Sequence, residues 1–337
     1  MKRIWKFLSY VILGLVALLC LAITFTIGWR PFIGPKARPL TNRTFERTSV
    51  RLARGQYLVE NLGCFDCHGQ HDWTKHDAPL IEGTKGVGPA DFPLKGFPGR
   101  VVPLNITPDP ETGAGAWSDD QLARAIREGI GYDGRALFPF MPYQAFSHLS
   151  DEDLASLIVY LRSIPPIRKA LPKTEIIFPV KYLIRAVPEP ITAPVPQPDL
   201  STPVKRGEYL VAIAACADCH TPQVKGQPVQ GLDYAGGFVL DGPWGRVASA
   251  NITPDPSGIS YYDETIFLGV MRTGFVKARE LNQIMPWSHY RNLADEDLKA
   301  IFAFLQTLKP VRHRVDNTEN PTACKLCGYQ HGVGDKN

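Results

Sequence analysis

The pattern of apolar positions begins with one long N-terminal segment. Residues 7–29 form a run of 23 residues without a charged side chain. As a helix this run would be roughly 35 Å long, enough to cross a bilayer core of about 30 Å. We therefore expect an uncleaved transmembrane anchor over residues 1–30. The alternative is a cleaved signal peptide, although the apolar part of a signal peptide is shorter, about 7–15 residues.

Beyond this segment the apolar positions follow the period of short amphipathic helices, and no strand of convincing length or alternation is found. A representative stripe follows the acidic helix start at Ser150 and consists of Leu154, Leu157, Ile158, Leu161 and Ile164. The pattern, with acidic starts and glycine or proline ends, predicts helices over 55–61, 118–129, 150–163, 207–215, 263–274 and 294–308. The expected fold class is all-α.

The chain repeats itself at an offset that falls from 152 to 144 residues. Five motifs recur: Arg-Gly-x-Tyr-Leu-Val at 54–59 and 206–211, Cys-x-Asp-Cys-His at 64–68 and 216–220, Asn-Ile-Thr-Pro-Asp-Pro at 105–110 and 251–256, Met-Pro-aromatic at 141–143 and 285–287, and Asp-Glu-Asp-Leu at 151–154 and 295–298. We interpret this as two copies of one domain. The expected organisation is an anchor (1–30), a basic juxtamembrane linker (31–48), domain 1 (49–170), a proline-rich and semi-rigid linker (171–199), domain 2 (200–312) and a tail (313–337).

Composition and charge narrow the class of protein. Apolar residues make up 44% of the chain and charged residues 21%, which excludes a disordered chain or a multi-span membrane protein. Residues 1–48 contain eight basic side chains and one acidic one, which accounts for more than the net charge of +4 of the whole chain. The positive charge therefore does not belong to a folded domain, and a nucleic-acid-binding domain is not expected. Three basic residues precede the apolar run and five follow it, so the basic residues do not orient the anchor.

The repeated Cys-x-x-Cys-His sequence is the attachment signal for c-type haem. Two thiols three residues apart can each form a thioether to one macrocycle, and the adjacent histidine then faces the iron. A zinc-ligand pair or a redox dithiol is the alternative, but the repeat supplies no second Cys/His pair beside either motif. The predicted attachment residues are Cys64, Cys67, His68, Cys216, Cys219 and His220.

Each iron needs a sixth ligand, and methionine is rare in this chain. Met141 and Met285 occupy the same place in both repeats, before proline and an aromatic residue. We expect them to be the distal ligands, with His68/Met141 and His220/Met285 as axial pairs. Met271 corresponds to Ile126 and is expected in the core. The rival histidines, interpreted as surface residues or neighbours of the site, are His71, His76, His148 and His289.

Two further pairs of repeated residues have structural interpretations. Asn105 and Asn251 either form a turn or hydrogen-bond a haem propionate. Tyr57 and Tyr209 are expected to face the last helix of their own domain, where Tyr160 and Phe304 are the matching partners.

With these motifs in place, both repeats resemble class I c-type cytochromes over roughly residues 50–165 and 203–312. The motif combination is similar to that of the cytochrome subunits of membrane-bound periplasmic alcohol, aldehyde and gluconate dehydrogenases. The resemblance implies the small helical cytochrome c fold, two covalently bound haem c groups, and electron relay from a dehydrogenase toward quinone or an oxidase. Those subunits typically carry three haem motifs, whereas this chain has two and an N-terminal apolar anchor.

We therefore expect an electron carrier rather than an enzyme. It would sit on the bacterial inner membrane with its haem domains in the periplasm, where haem c is attached. Its expected partners are a membrane dehydrogenase, a quinol-oxidising complex or a terminal oxidase, with no nucleic acid and no small-molecule substrate. A dihaem peroxidase is the alternative, but it needs an open position on one iron, whereas His/Met ligation of both irons favours relay. A third hypothesis is a structural subunit whose haems serve assembly.

The tail contains a third Cys-x-x-Cys pair, Cys324 and Cys327, followed by glycine instead of histidine. Only ten residues follow Cys327, too few for a third haem domain. The favoured expectation is a disulfide, because a dithiol in an oxidising compartment forms one readily. The alternatives are a metal site with His331 as third ligand and a partner's side chain as fourth, or a thiol pair without a structural role.

Overall fold

The computed structural model describes residues 2–332, and this part of the chain is mainly helical. The α-helices are α1 (Lys2–Phe25), α2 (Arg30–Ile33), α3 (Ser49–Asn61), α4 (Cys64–Cys67), α5 (Asp119–Glu128), α6 (Tyr143–Phe146), α7 (Asp151–Leu161), α8 (Val180–Leu183), α9 (Pro203–Ile213), α10 (Cys216–His220), α11 (Glu264–Thr273), α12 (Trp287–Tyr290) and α13 (Asp295–Leu305). A 3₁₀ turn covers Ile184–Ala186. All six helices expected from the sequence are present, although α3 begins six residues and α9 four residues before the expected start.

Short antiparallel ladders accompany the helices, which corrects the strictly all-α expectation. The strands are β1 (Gly99–Arg100), β2 (Glu175–Ile176), β3 (Gln223–Val224), β4 (Gln227–Pro228), β5 (Val239–Gly242), β6 (Gly245–Ala248), β7 (Phe275–Val276), β8 (Arg279–Glu280), β9 (Thr322–Ala323) and β10 (Gln330–His331). They pair as β1–β2, β3–β4, β5–β6, β7–β8 and β9–β10. Strands of two to four residues are too short for an alternating pattern to be visible in the sequence.

Each domain is organised by one close helix crossing. In domain 1, α3 crosses α7 at Gly55, where a Cβ atom would lie 1.9 Å from the carbonyl oxygen of Ser156. In domain 2, α9 crosses α13 at Gly207, where a Cβ atom would lie 1.9 Å from the carbonyl oxygen of Ala300. Only glycine allows the two backbones to approach this closely. The repeated Arg-Gly-x-Tyr-Leu-Val motif therefore contains the contact point of both crossings.

The apolar helix α1 stands apart from the rest of the protein. It has 24 residues, a mean hydropathy of 2.5 over its most apolar window, and no part of that window is buried. It is the helix among the described residues that is long and apolar enough to cross a membrane, a property that an anchor and a signal sequence share.

The segment after α1 is bound to domain 1 through Arg38. The Arg38 guanidinium donates to both carboxylate oxygens of Asp120, at 2.7 and 2.8 Å, and to Glu128 at 2.8 Å. The Thr41 amide also donates to Asp120 at 2.6 Å. The Arg38 side chain is 11% exposed and that of Asp120 is 0% exposed. Arg38 and Thr41 outweigh the effect of burial and lower the pKa of Asp120 to about 2.

The proline-rich linker also packs on domain 1. Strand β2 of the linker pairs with β1 of domain 1. Further along, the Asp151 amide donates to the carbonyl of Val195 at 3.0 Å. The linker also reaches the N-terminal segment, because Arg185 donates to the carbonyl of Pro31 at 3.1 Å.

The two domains share one continuous apolar core and a reciprocal polar contact. The Tyr57 hydroxyl of domain 1 donates to Asp297 and accepts from the Ala294 amide at 2.9 Å, both at the start of α13. The Tyr209 hydroxyl of domain 2 donates to Asp153 at 2.7 Å, at the start of α7. The expectation that both tyrosines face their own domain was wrong. The positions beside Tyr160 and Phe304 are taken by the crossing glycines, so each tyrosine points outward to the other domain.

Candidate haem sites

Each Cys-x-x-Cys-His motif forms one tight helical turn directly after the domain's first long helix. In domain 1 the turn α4 follows Gly63, and the His68 amide donates to the Cys64 carbonyl at 3.0 Å. In domain 2 the corresponding turn is α10, preceded by Ala215. Burial raises the pKa of the free Cys64 thiol to about 12.

The two motif histidines are oriented in the same way. The Nδ1 atom of His68 hydrogen-bonds the carbonyl of Leu104 at 2.7 Å, and that of His220 hydrogen-bonds the carbonyl of Ala250 at 2.7 Å. A carbonyl accepts only from a protonated nitrogen, so Nε2 of each ring keeps its lone pair free for a metal. Burial lowers the pKa of both histidines, which favours the neutral, ligating form.

The carbonyls that hold these histidines come immediately before the Asn-Ile-Thr-Pro motifs. Asn105 is buried; its Oδ1 accepts from the amide of Thr107 at 3.0 Å and its amide group donates to the carbonyl of Ile167 at 2.7 Å. Asn251 makes the same contacts with Thr253 and Val311. Of the two interpretations, the structure therefore supports the turn. The sequence did not reveal that the residue before this turn holds the histidine of each Cys-x-x-Cys-His motif.

The two methionine loops have matching geometry. The Met141 carbonyl accepts from the Tyr143 amide at 2.7 Å, and the Met285 carbonyl accepts from the Trp287 amide at 2.7 Å. Both methionines are half-buried. Both methionines pack against the one apolar core that the two domains share, as do Cys64 and Cys216.

One buried polar atom in domain 2 indicates a missing partner. Trp244, in the turn between β5 and β6, is 4% exposed, and its indole nitrogen has no hydrogen-bond partner within the described structure. Its carbonyl accepts from the Asn282 side chain at 2.9 Å, which places it next to the loop of Met285. A buried donor without an acceptor is costly, and a haem propionate has the oxygens that would satisfy it. The sequence analysis missed Trp244, since domain 1 has no matching motif.

The first haem motif lies against domain 2. Asp66, between Cys64 and Cys67, is 2.5 Å from Nε2 of His289, which follows Met285. Burial alone would lower the pKa of His289, but the charge of Asp66 and the hydrogen bonds around the ring raise it. The counterpart of Asp66 in the second motif is Asp218, whose pKa is raised to about 6 by burial.

The other rival histidines differ in their surroundings. His71 hydrogen-bonds the carbonyls of Ala78 and Phe65 at 2.7 and 3.1 Å. His76 lies 2.7 Å from Glu280 of domain 2, and His148 is exposed. The rings of His71, His76 and His289 are thus engaged by protein groups, and His76 and His289 join the two domains.

Two helical domains, each with an oriented Cys-x-x-Cys-His turn and a methionine loop on a shared core, define a c-type cytochrome with two haem sites. The family model described as cytochrome c matches residues 52–165 and 204–309, and the chain belongs to the cytochrome c family. It accordingly carries two covalently bound haem c groups.

Curated relatives support this assignment. The chain is 30% identical over 304 residues to a component of the nicotinate dehydrogenase of Pseudomonas putida, covering 84% of this chain and 23% of that protein. It is 27% identical over 304 residues to the cytochrome c subunit of alcohol dehydrogenase (quinone) of Gluconacetobacter polyoxogenes, covering 84% and 62%. It is 29% identical over 268 residues to a diheme cytochrome c-type protein of Cereibacter sphaeroides, covering 77% and 86%. The chain thus spans less than two thirds of the length of the first two relatives.

The resemblance to dehydrogenase cytochrome subunits stated from the motifs is confirmed by these relatives, as is the assignment to an electron-carrying class rather than to enzymes. None of the relatives named here is a peroxidase.

Proposed function

We propose that this protein is a membrane-anchored dihaem electron carrier, with His68/Met141 and His220/Met285 as axial pairs. The observation that carries the proposal is the equivalence of the two sites: both histidines have Nδ1 bound to a backbone carbonyl, and both methionines lie in loops of the same geometry. With two protein ligands per iron, neither site offers a position for a substrate.

The haem groups supply one-electron redox chemistry, and this chain's residues fix their ligands. Holding Nδ1 of His68 and His220 by a carbonyl prevents ring rotation and makes Nε2 more basic. A thioether distal ligand raises the reduction potential. Because the ligands are positioned by packed helices, little rearrangement would accompany electron transfer.

Contacts between the two motifs support transfer from one haem to the other. Burial raises the pKa of Cys67, and Cys219 of the second motif contributes to the same rise. Burial also raises the pKa of Tyr290, and Asp66 and Asp218, one from each motif, both contribute. The Tyr290 hydroxyl donates to the Ala214 carbonyl at 2.9 Å, two residues before the second motif. The shared core keeps this arrangement rigid, as relay requires.

The proposed electron donor is a dehydrogenase, because several relatives are named as cytochrome subunits of alcohol, fructose and gluconate dehydrogenases. The acceptor would be a quinone-linked complex or a terminal oxidase. We place helix α1 in the inner membrane and the haem domains in the periplasm, which is supported by the length and apolar character of the helix and by the haem motifs.

Redox titration and carbon monoxide binding test the ligand assignment. We expect the purified full-length protein to show two one-electron transitions and no binding of carbon monoxide by the reduced form. Met141→Ala and Met285→Ala should each lower one potential and open one haem to carbon monoxide. Met271→Leu, a substitution in the core of α11, is the matched control and should leave both haems unchanged.

The same experiment separates relay from peroxidase chemistry. Carbon monoxide binding by one haem of the wild-type protein, together with turnover of hydrogen peroxide, would favour the peroxidase alternative. Unchanged spectra in both methionine variants would show that the distal ligands lie elsewhere.

A further inference from the structure

The tail folds back onto domain 2 and brings four metal-ligating side chains together. They are His313, Cys324, Cys327 and His331, and their ligating atoms all lie within 4.8 Å of one another. Nε2 of His313 is 3.3 Å from Sγ of Cys324, and Nε2 of His331 is 3.2 Å from Sγ of Cys327. The expected disulfide is not formed, since both cysteines are free. The fourth side chain of the cluster is His313 of this chain, whereas the sequence had suggested one from a partner. His313 lies eleven residues before Cys324.

We propose that these four side chains form a structural zinc site. Two thiolates and two imidazoles are a preferred ligand set of zinc, with bond lengths of about 2.3 Å to sulfur and 2.0–2.1 Å to nitrogen. With such bonds a nitrogen–sulfur edge of the tetrahedron is roughly 3.6 Å, a few tenths of an ångström longer than the two nitrogen–sulfur separations in the structure, 3.3 and 3.2 Å. Four protein ligands leave no position for water, so the site is structural rather than catalytic. Binding displaces one proton from each cysteine thiol, and both histidines bind in the neutral form.

The surroundings of the two histidines fit metal ligation. Nδ1 of His313 hydrogen-bonds the carbonyl of Ala235 at 2.9 Å, and His331 hydrogen-bonds the backbone of Arg314. A ligating histidine usually donates its second ring nitrogen in this way, which leaves Nε2 for the metal. Exposure is 1% for His313, 2% for Cys327 and 7% for His331, so the cluster is closed to solvent on most sides.

The cluster is in close contact with the backbone of domain 2 at Gly237. Gly237 has a φ of +93°, and a Cβ atom there would lie 2.7 Å from the His313 ring and 3.0 Å from Nε2 of His331. Asn317 adds a second attachment by accepting from the Ala248 amide at 2.8 Å and donating to the Ala248 carbonyl at 3.0 Å. The apolar cluster under the tail is small, with Leu232, Ala235 and Cys327 as its buried members. A segment with so little core needs a cross-link, and zinc would provide it.

The site is connected to the second haem motif. The Gly236 amide, next to the carbonyl that binds His313, donates to the His220 carbonyl at 2.7 Å. The His313 carbonyl accepts from Asn251 at 3.2 Å, in the turn that positions His220. In domain 1 the position equivalent to His313 is Lys169. The amide of Lys169 donates to the Thr112 hydroxyl, as the amide of His313 donates to the Ser257 hydroxyl. Lys169, however, is an exposed residue. Within the described structure, the Cys2His2 cluster is a feature of domain 2.

Metal analysis of the full-length holoprotein tests the proposal. The protein should be purified in detergent without a polyhistidine tag, because such a tag binds zinc itself. We expect about one zinc for every two haem irons, with iron as the internal standard. His313→Ala should lose the zinc and keep both irons. His148→Ala, the same substitution at an exposed histidine, should keep all three metals.

Zinc-edge X-ray absorption of the wild-type protein gives a result that does not depend on the folding of a variant. We expect two sulfur neighbours at about 2.3 Å and two nitrogen neighbours at about 2.0–2.1 Å. A first shell of oxygen atoms would show adventitious zinc and overturn the proposal. A tail peptide two hydrogens lighter than its reduced form, or free thiols without zinc, would overturn it as well. Iron and zinc are counted separately, so loss of the zinc proposal would leave the proposed electron carrier intact.

Discussion

The two crossing glycines allow a sharp test of how each domain is held together. In Gly55→Ala the new Cβ atom would lie 1.9 Å from the Ser156 carbonyl oxygen, whereas ordinary contacts begin at 3.4 Å. The helices α3 and α7 would have to separate by about 1.5 Å, in an interior that is packed as closely as an organic crystal. Gly207→Ala imposes the same displacement on α9 and α13, because its Cβ atom would lie 1.9 Å from the Ala300 oxygen.

Overpacking of a core costs about 1–3 kcal/mol of unfolding free energy. We expect the upper end, about 3 kcal/mol, because the clash is between backbone atoms that cannot change rotamer. Because the two domains share one core, we expect them to unfold together, and for a unit of roughly 250 residues such a loss lowers the melting temperature by roughly 6–12 °C. The matched control is Gly269→Ala in α11, where a Cβ atom would meet nothing within 4 Å. This control should be unchanged or more stable by up to about 1 kcal/mol, since alanine favours a helix.

Thermal unfolding of the holoprotein, followed by circular dichroism and by haem absorbance, provides the measurement. If Gly55→Ala and Gly207→Ala melt at the temperature of Gly269→Ala, the close crossings are not what holds the helices in place. The two variants should lose the same amount of unfolding free energy, because the two helix crossings have the same closest approach of 1.9 Å.

Two further predictions concern the polar contacts of domain 1. The Tyr209→Phe variant leaves Asp153 without the hydroxyl that reaches it from domain 2, and we expect a loss of about 1–3 kcal/mol in chemical unfolding; the exposed Tyr132→Phe should show none. The pKa of Asp120 is lowered to about 2, so its contribution of about 2 kcal/mol is complete above the unfolded pKa near 4 and is lost as pH falls from about 4 to 2. The Asp120→Asn variant should be less stable than the wild type at neutral pH, and its unfolding free energy should not show this fall between about pH 4 and pH 2. The control Glu189→Gln, which removes the exposed ion pair with Lys36, should behave as the wild type in the same acid titration.

The helices were predictable because their determinants are local. The Ser118 hydroxyl oxygen accepts from the Gln121 amide, the Ser118 amide donates to Oε1 of Gln121, and Gly129 ends the helix with a φ of +69°. These residues are close together in the chain, so the sequence motif by itself is enough to predict the helix cap. The haem motifs are equally local, since five consecutive residues contain the attachment chemistry.

Contacts between distant segments were not predictable in the same way. The period of α3 identifies Tyr57 as lying on a packed face, but not whether its partner belongs to the same domain. His313 lies eleven residues before Cys324, and only the return of the tail onto domain 2 brings them together. Arg38 and Asp120 are 82 residues apart, so their ion pair is equally invisible in the sequence. In each case the residue types were suggestive, while the pairing depended on the tertiary fold.

The reciprocal tyrosine contacts have the geometry of an isologous homodimer interface, in which one surface patch binds its own copy. Tyr57 reaches the start of α13 as Tyr209 reaches the start of α7. A true homodimer would be obliged to keep its two redox centres identical. Joining the copies in one polypeptide removes that obligation: the first motif has Asp66 beside His289 of the other domain, whereas the tail cluster adjoins the second motif. Such differences allow the two centres to have unequal potentials, which is the requirement for electrons to move preferentially in one direction.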